Sequence, residues 1–392
     1  MTGTIGVVGG GIMGCLGALA LVRAGWRVVL FERKPELMAG ASRGNEGKVH
    51  LGYTYGLDPT GATRDVMFRY GSVFEESLTR IIGQSDDRLF LNRRQYYAVH
   101  RDSSLKGDGV AEHMHALGGM LTEIGSPGGE PAVRRLGATE RDAQFSDLIE
   151  DVWEVAEGTV DCQVLGQLVR AAVAADPRIE VQTNVSVGSI SNDETPRIRD
   201  DGDRHLGTFS AVVNAAWDGM PRLERAAGAP LPDYCLRAKA GFIARMSGDV
   251  PELPVTTVYG TFGDVVPQAE GRAYVSWYPA CLMDFTTEVG TGADWYDGLS
   301  QRFDYEGAFA RSIAAFAQMI PGFAAEPVPE RILGGPILAV AVTDIPDPNS
   351  KLHRRNMFGL HRRGNVIAVD TGKLTCGPRL ALELAALIGA PR

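Results

Sequence analysis

Cysteine is scarce in this sequence, and its spacing carries no metal or redox motif. The cysteines are odd in number and no two form a C-x-x-C pair; they are Cys15, Cys162, Cys235, Cys281 and Cys376. This spacing argues against a disulfide framework or a zinc site, so we predict no bound metal. A reducing compartment, the cytoplasm, fits this cysteine usage best.

The sequence also lacks an excess of positive charge. Its formal net charge of −9 argues against a nucleic-acid-binding protein, because neutralising phosphates needs clustered Lys and Arg. A local basic pocket for an acidic substrate remains compatible with this charge. Small molecules rather than nucleic acids are therefore the expected partners.

No long apolar run of the membrane-spanning kind is present. The stretch 5–22 is free of charge and approaches the length of a spanning helix, but it holds six glycines and no basic segment precedes it. A strand, a glycine turn and a helix explain it better, so we predict no integral membrane segment. The length of 392 residues then favours two domains.

The N-terminus has the pattern of a βαβ unit. Thr4–Val8 is short, β-branched and apolar, as expected of a buried parallel strand. The segment 12–24 is rich in Ala and Leu and predicts a helix that ends at Gly25. Arg27–Phe31 predicts the second strand.

The remaining chain predicts further elements of both kinds. Helices are expected at 61–82, 162–175 and 378–388, with a helix or loop at 108–124. A strand pair is expected at 90–100, and single strands at 179–183, 209–215 and 364–370. Alternating stretches within 234–330 predict an antiparallel sheet with one solvated face.

The turn between the first strand and helix carries a G-x-G-x-x-G fingerprint. Gly9 permits the tight turn, Gly11 lets the backbone approach a pyrophosphate, and Gly14 with Ala18 lets the helix pack closely on the strands. The helix N-terminus favours negative charge. Glu32, 23 residues after Gly9, ends the second strand, where it can bind a ribose diol. The fingerprint therefore predicts a bound dinucleotide, and by itself it does not decide between a nicotinamide and a flavin.

Three later segments resemble the D-amino-acid-oxidase-like superfamily of FAD-dependent oxidoreductases. The segment 42–52 contains N-x-G-x-V-H-x-G, which resembles the loop of L-2-hydroxyglutarate oxidases and, in part, FAD-dependent glycerol-3-phosphate dehydrogenases. The segment 157–161 reads EGTVD and is followed by a helix and V-x-x-I at 187–190. The segment 372–375 reads GKLT, as at the C-terminus of the glycerol-3-phosphate enzymes.

The resemblance implies an α/β fold with a discontinuous Rossmann-like FAD-binding domain and an inserted, mainly antiparallel β-sheet domain for the substrate. We assign 1–85, 155–230 and 331–392 to the FAD-binding domain and 86–154 and 231–330 to the substrate-binding domain. Some relatives attach FAD through a His in the loop after the second strand. Gly44 stands at that position here, so the resemblance implies non-covalent FAD.

The fingerprint and the resemblance together imply a set of FAD-binding residues. They are Gly9, Gly11, Ile12, Met13, Gly14, Glu32, Arg33, Ser42, Arg43, Asn45, Gly47, Lys48, Val187, Ala215, Gly372, Lys373, Leu374 and Thr375.

Two residues are candidates for catalysis. His50 lies in the loop that the resemblance places beside the flavin, and its ordinary pKa suits a base that removes a hydroxyl proton. Lys373 is expected near the flavin ring, where a cation stabilises the reduced form. Lys48 is a second candidate cation. Cys376, next to the GKLT segment, is expected to be a packing residue.

Candidate substrate contacts are arginines that match a carboxylate and aromatic residues that line a cavity. The candidates are Tyr53, Tyr55, Arg237, Tyr259 and Tyr278, with Arg354, Arg355 and Trp277 as further choices.

We therefore predict an FAD-dependent oxidoreductase that oxidises a CH–OH group of a small hydroxy acid or polyol by hydride transfer to the flavin. One alternative is oxidation of CH–NH, as in amino-acid oxidases. Two others are a nicotinamide-dependent dehydrogenase and a flavin-binding partner subunit without turnover. The electron acceptor stays open among oxygen, a quinone and a carrier protein.

Overall fold

The structure is a computed structural model of the 392-residue chain. It describes residues 3–125, 131–246, 254–290, 292–323 and 327–391.

Strands and helices both occur along the whole length of the described chain. The strands are β1 Thr4–Val8, β2 Arg27–Phe31, β3 Phe90–Asn92, β4 Gln95–His100, β5 Val133–Arg135, β6 Ile149–Val155, β7 Thr159–Val160, β8 Ile179–Gln182, β9 Val187–Ile190, β10 Arg197–Asp200, β11 His205–Thr208, β12 Ala211–Asn214, β13 Tyr234–Arg245, β14 Val255–Val258, β15 Gly263–Gln268, β16 Arg272–Trp277, β17 Leu282–Thr286, β18 Val328–Val340, β19 Gly359–Arg363 and β20 Val366–Asp370. The helices are α1 Ile12–Arg23, α2 Ala62–Gly71, α3 Phe74–Ile82, α4 Gly107–Ile124, α5 Ala138–Gln144, α6 Cys162–Ala175, α7 Met220–Ala226, α8 Tyr278–Cys281, α9 Gly292–Arg302, α10 Tyr305–Met319 and α11 Gly377–Ile388.

A mostly parallel sheet with the order β19-β20-β12-β1-β2-β8 forms the first layer. β1 pairs in parallel with β2 and β12, while β19 joins β20 antiparallel at the edge. The strands next to β1 are apolar on both faces because helices cover one face and a small three-stranded sheet, β9-β10-β11, covers part of the other. α1 is buried from Ile12 to Val22 and packs against α3, α6 and α11. The carboxyl ends of β1, β2 and β12 therefore open at one edge, where ligands of such sheets bind.

A nine-stranded, mainly antiparallel sheet forms the second part of the molecule. β13 pairs along its whole length with β18, and its other edge pairs first with β17 and then with β16. β4 and β14 are an internal parallel pair. α10 buries its apolar face, Ala308, Phe309 and Phe316, on this sheet.

The fold class predicted from the sequence is confirmed: a parallel α/β sheet is combined with a mainly antiparallel one. The expected domain boundary at residue 330 falls inside β18, which lies entirely in the antiparallel sheet. β18 belongs there because it pairs with the full length of β13.

Three local expectations need correction. The helix expected at 61–82 is two helices, α2 and α3, which separate at residues 72–73. The strand pair expected at 90–100 does not form, because β3 pairs with β7 whereas β4 pairs with β6 and β14. α9 and α10 interrupt the region read as sheet; Asp304 caps α10 by accepting a hydrogen bond from the Gly307 backbone N–H.

No helix within the described ranges is both long and apolar enough to cross a membrane. All five cysteines are unpaired.

Candidate functional site

One large cavity, of about 860 Å³, lies where the edge of the parallel sheet meets the antiparallel sheet. The glycine turn before α1, the end of β2 and the loop 39–50 form its first wall. β13, the β14–β15 hairpin and the segment 371–374 form the opposite wall. The cavity therefore joins the predicted dinucleotide site to the predicted substrate domain.

The glycine turn leaves no room for side chains at two of its positions. Gly9 has a left-handed φ of 101°, and a Cβ there would lie 2.5 Å from the Ala215 carbonyl oxygen. A Cβ on Gly14 would lie 1.8 Å from the Gly9 carbonyl oxygen. Gly11 precedes α1 and, with Ile12 and Met13, lines the cavity. The helix N-terminus thus faces a space that suits a phosphate group.

An acid stands at the end of β2, as the dinucleotide reading requires. The buried Glu32 carboxylate accepts hydrogen bonds from the backbone N–H of Gly10 at 2.6 Å and of Lys34 at 2.8 Å. These bonds fix the carboxylate at the cavity wall. Next to it, Arg33 forms an ion pair with Asp218 at 3.0 Å, which ties β2 to the turn after β12.

The loop 39–50 is fixed at both ends by hydrogen bonds in which side-chain hydroxyl groups take part. Ser42 Oγ accepts the Ile12 backbone N–H at 2.9 Å. Thr375 Oγ1 accepts the His50 N–H at 2.9 Å and donates to the Lys48 carbonyl oxygen at 3.1 Å. The loop therefore joins the start of α1 to the C-terminal GKLT segment, two parts of the sequence that are far apart.

Gly44 lies against the antiparallel sheet. A Cβ at this position would come within 2.3 Å of the Gly334 carbonyl oxygen in β18. A histidine cannot be placed here unless β18 moves, which supports the expectation that FAD is not attached at this residue.

Lys48 is almost fully buried and forms an ion pair with Asp264 on β15. Its ammonium group also donates to the Thr256 hydroxyl, and Asp264 lies 4.0 Å from Lys239. Burial alone would raise the pKa of Asp264, but the two lysines hold it below its ordinary value. This pair lines the cavity and joins its two walls.

His50 lies between two carboxylates, and we call Glu46, His50 and Glu157 the His50 cluster. Nε2 lies 3.7 Å from Glu46 Oε1, and Nδ1 lies 3.8 Å from Glu157 Oε1. Glu157 is fully buried and accepts hydrogen bonds from the Leu51 N–H at 2.7 Å and from the Tyr97 hydroxyl. Within the described ranges no lysine or arginine pairs with Glu157, so His50 is its potential cation.

Two buried arginines face the other side of the cavity. Arg237 donates to the Tyr278 hydroxyl at 3.4 Å, its Nε has no partner, and Tyr278 donates to Asp344 at 2.6 Å. Arg355 donates to the carbonyl oxygens of Leu338 and Gly372 at 3.2 and 3.0 Å. In the described part of the chain neither guanidinium forms an ion pair with a carboxylate. Buried charge without a counter-ion favours an anionic ligand.

Lys373 adds a further cation near this side of the cavity. Desolvation lowers the pKa of Lys373 to about 8, against the attraction of Glu46. Burial also lowers the pKa of Arg355, and the charge of Arg237 adds to this effect. This part of the cavity therefore has an excess of positive charge.

The structure brings most of the sequence-predicted site residues to the cavity wall. Those that line it are Gly9, Gly11, Ile12, Met13, Glu32, Arg33, Ser42, Asn45, Lys48, His50, Tyr55, Val187, Ala215, Arg237, Tyr259, Tyr278, Arg355, Gly372, Lys373 and Leu374.

A smaller set lies away from the cavity wall. Gly14, Gly47 and Thr375 support the wall from behind, whereas Arg43 is exposed and 3.8 Å from Glu36. Tyr53 lies in the core, with its ring centroid 5.6 Å from that of Tyr97. The remaining outliers are Arg354, which is largely exposed, Trp277, which packs on Phe316, and Cys376, which is buried.

Sequence reasoning missed four charged residues that shape the cavity. Glu46 and Glu157 lie inside two of the segments on which the resemblance rests. Glu46 is also close to His50 in the sequence, and this proximity was a usable signal for it. Lys239 follows Arg237 by two residues on a strand, which places both on one face. Asp264 had no local signal.

The glycine turn, the helix N-terminus and the fixed acid at the end of β2 fit the dinucleotide part of FAD. A family model described as FAD dependent oxidoreductase, abbreviated DAO, matches residues 4–385. The chain therefore belongs to the DAO family of FAD-dependent oxidoreductases, and FAD is its cofactor.

The chain is similar to a curated protein over part of its length and to solved structures over nearly all of its length. A curated relative, the FAD-dependent monooxygenase FPY4 of Fusarium mangiferae, is 30% identical over 128 residues, and the match spans only 32% of each chain. The structure of glycine oxidase from Geobacillus kaustophilus has a TM-score of 0.69 at 17% identity, covering 99% of this chain and 94% of that one. The L-alpha-glycerophosphate oxidase of Mycoplasma pneumoniae, with FAD bound, has a TM-score of 0.70 at 16% identity, covering 100% and 97%. At these identities the two structures support the fold.

Proposed function

We propose that this enzyme oxidises the CH–OH group of a small hydroxy acid to a carbonyl. FAD, when bound, accepts the hydride from the substrate carbon. The observation that carries the proposal is the His50 cluster, an imidazole between two carboxylates at the wall of the cavity. Such a group accepts a proton and then stabilises the resulting positive charge.

The proton requirement distinguishes an alcohol from an amine. A hydroxyl group must lose its proton as its carbon loses a hydride, so an alcohol oxidase needs a base at the reacting carbon. A neutral amine can lose the hydride without such a base. The buried His50 and its two carboxylates therefore favour an alcohol substrate.

The positive wall favours an acid. Arg237 and Arg355 are both buried at the cavity wall, and in the described part of the chain neither guanidinium forms an ion pair with a carboxylate. An arginine fork binds a carboxylate with two parallel hydrogen bonds. Tyr55 and Tyr278 line the cavity nearby and limit the size of the substrate that fits.

The same geometry supports a set of cofactor-binding residues. The turn 9–13, Glu32 and Ser42 would hold the dinucleotide, and the segment 372–374 would contact the flavin end. Lys373 supplies positive charge there, which favours the reduced cofactor.

Oxidation of CH–NH is the second candidate, since one similar structure is named a glycine oxidase. Matched pairs that differ only in OH against NH₂ separate the two reactions: glycolate and glycine, lactate and alanine, and 2-hydroxyglutarate and glutamate, each chiral acid as both enantiomers. Turnover should be followed by the carbonyl product and by ammonia. The proposal predicts carbonyl product from a hydroxy acid without ammonia.

The variant His50→Asn tests whether His50 takes part in proton transfer. We expect it to retain FAD while turnover of the hydroxy acid falls about 100-fold or more. Ammonia release from an amino acid, together with no turnover of any hydroxy acid, would show that the enzyme oxidises amines. If FAD is bound but neither hydroxy acids nor amino acids are turned over, the result would favour a flavin-binding partner subunit without turnover.

A further inference from the structure

The three members of the His50 cluster are not equally accessible from the cavity. His50 is among the residues that line the cavity, but neither of its ring nitrogens is exposed, and neither has a hydrogen-bond partner among the described residues. The His50 side chain is 6% exposed and that of Glu46 is 20% exposed, whereas Glu157 is fully buried. A molecule entering the cavity therefore meets the Glu46 carboxylate before it meets either His50 nitrogen.

We infer that Glu46 is the residue that contacts the substrate hydroxyl, and that His50 stands behind it as the final acceptor of the proton. Glu157, whose Oε1 lies 3.8 Å from Nδ1, is a positioning residue that attracts the His50 ring by its charge. This inference rests on the proposed function and assigns separate roles within its base.

The proton transfer balances in charge and atoms. The substrate hydroxyl donates to Glu46, and its O–H bond breaks as the C–H bond pair leaves as a hydride for the FAD that the family supplies. A C=O bond forms on the substrate. Glu46 Oε1 and His50 Nε2 are 3.7 Å apart, so the two side chains must first approach to hydrogen-bond distance; the proton then passes from Glu46 to Nε2, and the resulting imidazolium lies between two carboxylates.

The charges around the cluster suit this transfer. Burial alone would raise the pKa of Glu46, but the polar contact with His50 and the charges of Lys373, His50 and Lys239 hold it well below its ordinary value. Lys373 and Lys239 continue to favour the ionised carboxylate when His50 is neutral, which is the form that accepts the proton. The other titratable groups facing Glu46 are Asp264, Tyr55, Tyr274 and Cys162.

The far side of His50 is arranged to hold the ring. Glu157 accepts hydrogen bonds from the Leu51 N–H and the Tyr97 hydroxyl, which fix its carboxylate, and Oε1 faces His50 Nδ1 at 3.8 Å. The Tyr55 ring packs edge-on to the imidazole, with 6.3 Å between centroids. With Nδ1 directed to Glu157, Nε2 is left to exchange a proton with Glu46.

The test is the anaerobic reduction of bound flavin by the hydroxy acid substrate, measured by rapid mixing across pH. We expect Glu46→Gln to slow reduction about 100-fold or more and to flatten the acid side of the pH profile. Glu157→Gln should shift that acid side and slow reduction less. Glu112→Gln, at an exposed carboxylate on α4, is the matched control and should leave rate and profile unchanged.

Flavin absorbance should be recorded for every variant, and if Glu46→Gln loses FAD, Glu46→Asp replaces it with an expected intermediate rate. Reduction of Glu46→Gln within about twofold of wild type, with His50→Asn slowed 100-fold, would overturn the inference. It would show that His50 itself contacts the substrate.

A second measurement needs no turnover. Glycolate and acetate differ by one hydroxyl, and their binding to the oxidised holoprotein is read from the flavin absorbance after rapid mixing, before any reduction of the flavin by glycolate. We expect glycolate to bind about tenfold more tightly than acetate, and Glu46→Gln to remove this difference, because the hydroxyl donates to a charged acceptor. An unchanged difference, or no difference in wild type, would refute the contact. If no hydroxy acid reduces the wild-type flavin, the proposed function fails, whereas this binding difference still reports on Glu46.

Discussion

Substitution of Asp264 by Asn should destabilise the protein strongly. Asp264 is the carboxylate partner of Lys48, whose side chain is 1% exposed. After the substitution the buried ammonium would keep the Thr256 hydroxyl and an amide as neighbours, with no carboxylate in its ion pair. An uncompensated buried charge of this kind costs about 3–5 kcal/mol of the free energy of unfolding.

Variants of both members of the Lys48–Asp264 ion pair provide the control for this prediction. Lys48→Met alone leaves Asp264 with Lys239 at 4.0 Å, so it should cost less than Asp264→Asn. The double variant Lys48→Met/Asp264→Leu removes both charges and should regain most of the lost stability. Asp147→Asn, at a carboxylate that is 91% exposed, should leave the free energy of unfolding unchanged.

The assay is urea unfolding of each variant at several FAD concentrations, which separates a change in FAD affinity from the cost of the buried charge. The pKa of Asp264 is lowered in the folded protein, so its contribution is fully present above its unfolded pKa, near 3.8, and is lost as the pH falls through the folded value. The difference between wild type and Asp264→Asn should therefore be constant between about pH 5 and 8 and shrink below about pH 4. A loss of less than about 1 kcal/mol at neutral pH, or additive costs in the double variant, would refute the reasoning.

Four further predictions concern the cavity. Gly44→Ala should lower the FAD content and the Tm, because its Cβ would meet the Gly334 carbonyl oxygen at 2.3 Å; Gly119→Ala, in open space, should do neither. Acid precipitation of the wild type should leave all the flavin in the supernatant, and flavin retained in the pellet would show a covalent bond. The affinity for acetate should fall as the pH rises through about 8, where Lys373 loses its charge, and Lys373→Met should bind weakly and without this pH step. Arg237→Gln should weaken acetate binding about tenfold or more while Arg237→Lys recovers part of it, and equal loss in both would indicate a packing role.

The parts of the fold with several agreeing local signals were predictable. β1 and β2 have the bounds that the sequence predicts, because a buried strand, the glycine fingerprint and a helix pattern all occur within about thirty residues. β13 and β16 were recognisable as strands, but their partners were not, since pairing depends on residues far away in the sequence. Lys48 and Asp264 illustrate this limit: they are 216 residues apart, and neither has a local signal for the other.

The candidate site shows the same limit at the level of single side chains. Tyr53 and Tyr55 both looked like cavity residues, yet the segment Tyr53–Tyr55 is a 3₁₀ turn. In a 3₁₀ turn each residue is rotated by about 120° from the one before it, so side chains two residues apart point in different directions. Tyr55 therefore reaches the cavity while Tyr53 packs against Tyr97 in the core.

The most direct test of the account is the visible spectrum of the purified protein before and after anaerobic addition of the hydroxy acids. We predict an oxidised flavin spectrum that one hydroxy acid bleaches, while the amino acid with the same carbon skeleton leaves it unchanged. Bleaching by the amino acid alone would contradict the proposed reaction. A colourless protein that takes up no FAD would contradict the dinucleotide site itself.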